Sequence, residues 1–65
     1  MTTDAARLAR TLLERPDRKR PFIASLCGED ELDAVAHELR SLGCLVLPDR
    51  TRCSLKVWMH DAFLS

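Results

Sequence analysis

The stretch from Leu32 to Met59 constrains this chain most. Leu32, Val35, Ala36, Leu39 and Leu42 recur three and four residues apart, which places them on one face of an α-helix. Gly43 follows them. Glycine enters the left-handed conformation of a helix stop without a Cβ penalty, so the helix ends there and Leu39 meets Cys44 across the stop. Cys44-Leu45-Val46-Leu47 and the run from Cys53 to Met59 then read as two strands around Pro48-Asp49-Arg50-Thr51-Arg52. In the second strand, alternation puts Cys53, Leu55, Val57 and Met59 on one face, and Ser54, Lys56, Trp58 and His60 on the other. A tryptophan on the nominally polar face either covers the first helix or serves as an anchor for a partner.

The 65 residues form one domain, 1–65. A domain of this size buries only about 60% of the surface its unfolded chain exposes. A hydrophobic content of 46% is enough for one compact core and argues against disorder. No apolar run approaches the length of a membrane span, and Asp4 and Arg7 interrupt any leader-like segment near the start. The expectation is a short gene product kept in the cytoplasm, with no membrane partner. Cys27, Cys44 and Cys53 are an odd number without a C-x-x-C pair. They read as free, half-buried thiols, and their spacing to His37 and His60 matches no usual zinc pattern. In the expected hairpin, Cys44 and Cys53 lie on neighbouring strands and can oxidise together. The net charge is zero but unevenly spread: +3 over residues 1–28, −4 over 29–42 and +1 over 43–65. Long-range attraction to nucleic acid is therefore absent, and any attraction is local.

Upstream, Thr2-Thr3-Asp4 offers N-cap oxygens. Ala5, Leu8, Ala9 and Leu12 share a helical face from about Asp4 to Arg15, where Pro16 stops the helix. A basic loop with Arg18, Lys19 and Arg20 lies between Pro16 and Pro21. Phe22 to Cys27 is too short for periodicity to decide. As a helix, with Pro21 at its favoured first position, it groups Phe22, Ile23, Leu26 and Cys27. As a strand it puts Phe22, Ala24 and Leu26 on one face. The helix is preferred. Glu29, Asp30 and Glu31 complement the dipole at the start of the long helix, and Arg40 complements its end. The tail from His60 to Ser65 either folds onto the core or swaps onto a second copy.

Leu8 to Leu13, then Ile23-Ala24-Ser25-Leu26-Cys27-Gly28, then Leu32, Val35, Leu39 and Gly43 with Cys44-Leu45-Val46, together resemble a winged helix-turn-helix domain of the bacterial or phage type. The resemblance covers residues 1–59 and consists of packing positions. The turn from Gly28 to Leu32 departs from it by being shorter than such turns commonly are. It implies an α+β, mainly helical fold: three helices followed by a β-hairpin wing. It also implies a small DNA-binding regulator or accessory factor acting as a homodimer on double-stranded DNA, with the third helix in the major groove. The third helix offers Glu29, Asp30, Asp33, His37, Arg40 and Ser41 outward; the first three repel phosphate. His37, Arg40 and Ser41 suit DNA, and phosphate contacts fall to Arg18, Lys19, Arg20, Arg50, Arg52 and Lys56.

The rival reading is a protein-interaction module on the same fold, using Glu29, Asp30, Asp33 and Trp58 without DNA. A third reading makes Phe22 to Cys27 a strand, giving an α-β-α-β-β order with a three-stranded sheet and removing the DNA inference. No spacing of Ser25, His37 and the carboxylates implies a catalytic triad, and no glycine loop cradles phosphate. Neither an enzyme nor a cofactor is expected.

Overall fold

The computed structural model describes residues 4–63. The elements run α1 (Asp4–Leu12), β1 (Phe22–Ser25), α2 (Glu29–Ser41), β2 (Leu45–Asp49), β3 (Ser54–Trp58) and α3 (His60–Phe63). The three strands form one antiparallel sheet in the order β1-β3-β2. The class is α+β.

The helix expected over Phe22 to Cys27 is instead β1, so two helices and a strand precede the hairpin. The reason lies in β3. A lone two-stranded hairpin is marginal in water, and the ladder groups of β3 on the side away from β2 need partners. Phe22-Ile23-Ala24-Ser25 supplies them with Phe22↔Val57 and Ala24↔Leu55 in register, and the main-chain N–H of Leu26 extends the ladder to the Cys53 carbonyl at 2.8 Å. The strand buries Phe22 and Ala24 and exposes Ile23 and Ser25. Pro21 suits the entry to an edge strand as well as a helix start.

α2 buries four residues of its stripe, Leu32, Val35, Ala36 and Leu39; the fifth, Leu42, is instead the C-cap and is exposed, because the chain turns away at Gly43. Gly43 sits at φ +92°. Its N–H donates to the Arg40 carbonyl and that of Cys44 to the Leu39 carbonyl, both at 3.1 Å, which is a Schellman stop. α1 is shorter than the expected span to Arg15. Leu13 and Glu14 already bond three residues back, to Arg10 and Thr11, a tightened last turn ahead of Pro16. The expected cap residues Thr2 and Thr3 lie outside the described residues, as do Leu64 and Ser65 of the tail. His60–Phe63 of the tail form α3 directly after β3, and Asp61 pairs with Arg18.

Leu32, Leu39, Leu55, Met59, Val35 and Val57 are the largest fully buried side chains. They join Phe22, Ala24, Cys44, Val46, Ala9 and Ala36 in one core between the sheet and the helices. The hairpin loop begins at Arg50 and ends at Cys53, a non-glycine residue at φ +51°. Cys44 and Cys53 therefore do not pair as expected. The ladder sets Leu45 against Trp58 and Asp49 against Ser54, so the two thiols lie at opposite ends of the hairpin. That is about 20 Å at the rise of a strand, far beyond disulfide reach.

Candidate functional site

One face of the sheet packs against α1 and α2, and among the described residues the other exposes Ile23, Leu45 and Leu47. The molecule measures 32 × 30 × 17 Å, and its short dimension holds one helix layer over one sheet. Alternation sends Phe22, Ala24, Leu55, Val57 and Val46 into that core. It sends Ile23, Lys56 and Leu47 outward as one cross-strand row, with Leu45 beside Trp58 in the next. Ile23 is 67% exposed, Leu47 53% and Leu45 47%. The Lys56 ammonium lies 5.2 Å from the centre of the Trp58 ring, a cation–π contact between neighbouring rows of this face. A groove of about 590 Å³ runs over this face toward the hairpin tip, between Ile23, Leu47, Pro48 and Lys56, with Arg50 and Arg52 at its rim. The face thus presents three exposed apolar side chains among charged and polar ones.

The side chains expected to meet DNA are distributed differently. Arg40 donates from Nη2 to the Val46 carbonyl at 3.1 Å, partly buried, and so joins α2 to the outer side of β2. Arg50 pairs with Asp33 at 2.8 Å and Arg18 with Asp61 at 3.1 Å. Arg20 lies 3.8 Å from Asp17 and Arg52 4.0 Å from Asp49. These pairs are exposed and individually worth little, but each sets a carboxylate beside a cation that phosphate contact would need. Lys19 forms no ion pair among the described residues, and its main-chain N–H donates to Asp17 at 3.1 Å. His37 and Ser41 are exposed on α2, joined by the Ser41 hydroxyl donating to the His37 carbonyl at 3.1 Å.

The rival set is not brought together either. Glu29, Asp30 and Asp33 lie on the helix layer, whereas Trp58 shares the sheet face with Lys56, away from the helices. Trp58 therefore does not cover α1. The residues missed by the sequence reading are Ile23, Leu45 and Leu47. A signal for the last two was present: Leu45-Val46-Leu47 is apolar at every position, as in a strand whose two faces are both covered.

Burial raises the pKa of the Cys44 thiol above its ordinary value, and the nearby Arg18 guanidinium offsets this in part. Among the described residues no group of His, Cys, Asp and Glu side chains is placed to hold a metal ion, and no helix is long and apolar enough to cross a membrane. No family model, curated protein or solved structure matches the chain.

Proposed function

We propose that this chain is a protein-interaction domain whose working surface is the helix-free face of the sheet. The observation that carries the proposal is the row Ile23–Lys56–Leu47, flanked by Leu45 and Trp58 and left uncovered. In the groove Arg50 is paired with Asp33 and Arg52 lies near Asp49, which leaves Lys56 as its cation without a carboxylate partner among the described residues. The matching partner is a peptide segment that presents apolar side chains to Leu45, Leu47 and Ile23 and a carboxylate to Lys56.

Selection of random peptides on the immobilised domain, followed by mapping of the selected peptides by amide chemical shifts, tests this. Apolar peptides with acidic positions should shift Ile23, Leu47, Lys56 and Trp58. Leu47→Asp should weaken them about tenfold or more, as removal of a central anchor does. Shifts confined to α2, or selection of no peptides, would sink the proposal.

A winged-helix DNA-binding regulator is the second reading. With β1 in place of the second helix, the resemblance no longer supports it, and what favours it is Arg50 and Arg52 at the tip of the hairpin that follows α2 and its glycine stop. A salt titration on random duplex DNA separates the two. Steeply salt-dependent binding, lowered by Arg50→Ala with Arg52→Ala, would favour DNA.

A further inference from the structure

The two edges of the sheet are unlike. On β2, the Val46 carbonyl that accepts from Arg40 points away from β3. Main-chain groups alternate along a strand, so position 48 points the same way, and there the residue is Pro48, which has no N–H. This edge is blocked by an arginine and a proline, both recognised ways of protecting an edge strand. On β1 the Leu26 N–H faces β3, so Ala24 and Phe22 face β3 too. Ile23 and Ser25 direct their N–H and C=O groups outward. β1 has β3 as its one sheet neighbour, and among the described residues nothing hydrogen-bonds those outward groups.

We infer that β1 pairs antiparallel with β1 of a second copy, joining the two sheets into one across a two-fold axis at Ala24. The outward groups are self-complementary: Ile23 of one copy exchanges N–H and C=O with Ser25 of the other, twice over, for about four main-chain hydrogen bonds. Ala24 on the axis occupies the closely spaced, non-hydrogen-bonded position, where a small side chain fits. The charge of the flanking chain matches as well. Lys19 and Arg20 precede β1, and Glu29 and Asp30 follow it. Antiparallel pairing brings the basic end of each strand beside the acidic end of the other. Lys19, Glu29 and Asp30 form no ion pair among the described residues. The helix layers of the two copies fall on the same side of the joined sheet. The pairing uses a sheet edge, so it stands independently of what the helix-free face binds.

Sedimentation of the intact chain over a concentration series tests the pairing, alongside Ser25→Pro and Ser25→Ala. Ser25→Pro removes an outward N–H and leaves the β3 ladder intact; Ser25→Ala keeps the N–H. The wild type and Ser25→Ala should dimerise. Ser25→Pro should associate about tenfold more weakly or worse, since two of the bonds are lost and their acceptors stranded. A second readout does not depend on how a proline is tolerated. Lys19→Glu and Glu29→Lys should each weaken the homodimer, and an equimolar mixture should form the mixed dimer, in which both contacts regain opposite charges. A monomeric wild type, a dimer indifferent to Ser25→Pro, or a mixture with no preference for the mixed dimer would overturn the inference.

Discussion

Gly43 and Cys53 both hold positive φ, at 92° and 51°, and only one of them is a glycine. A Cβ built at Gly43 meets nothing within 4 Å, so the cost of Gly43→Ala is conformational alone. It should destabilise the fold by about 1–2 kcal/mol, read from urea midpoints. Cys53 already bears such strain at the hairpin corner. Cys53→Asn, a residue that tolerates the left-handed region, should raise stability by about 0.5 kcal/mol by the same measurement. The thiols should also differ in reactivity. Cys27 is exposed, Cys53 intermediate and Cys44 buried, so labelling with a disulfide reagent near neutral pH should proceed in that order. The Cys44 pKa is raised in the folded state. Its contribution to stability is therefore complete below the ordinary thiol pKa and is lost as pH rises from there through the folded value. Cys44→Ala should flatten the alkaline limb of the stability profile.

At the scale of elements, what could be read in the sequence followed the length of the pattern. The α2 stripe repeats over three turns and ends at Gly43; the Schellman stop matches it, and so does the burial of Leu32, Val35, Ala36 and Leu39, but not Leu42, which caps the helix and is 44% exposed. Phe22 to Cys27 has too few residues for either period to show. Its state is decided by the unpaired side of β3, thirty residues further along, which no local pattern encodes. The candidate surface was legible only in part. Trp58 and Lys56 stood out on the polar side of β3, but Ile23 joins them only once β1 is known to be a strand. The basic residues were legible as charge and not as partners, because Arg18–Asp61 and Arg50–Asp33 are contacts between distant segments. The start of α2 offers an element-level test. Gly28 is its N-cap with extended backbone and no side-chain cap, while Glu31 accepts from the Cys27 N–H at 3.0 Å. Gly28→Ser adds the missing acceptor where a Cβ meets nothing. It should raise stability by a few tenths of a kcal/mol, about what a serine gains over glycine at a cap.

For the molecule as a whole, a slab 17 Å thick has one core and two broad surfaces, and the sheet surface sets Ile23, Leu45 and Leu47 among polar side chains. Domains this small hold a narrow margin of stability. An assembly that orders β1 should add to it, so the melting temperature should rise with protein concentration, as calorimetry over a dilution series would show. The blocked edge of β2 has a further consequence. In the language of polymerisation, a unit with a single reactive end is a chain stopper: two of them couple and growth ceases. Arg40 and Pro48 fix that valence at one. Replacing both, as Arg40→Met with Pro48→Thr, would make each copy bifunctional. Light scattering should then register open-ended ribbons that lengthen with concentration, where the parent chain stops at a pair.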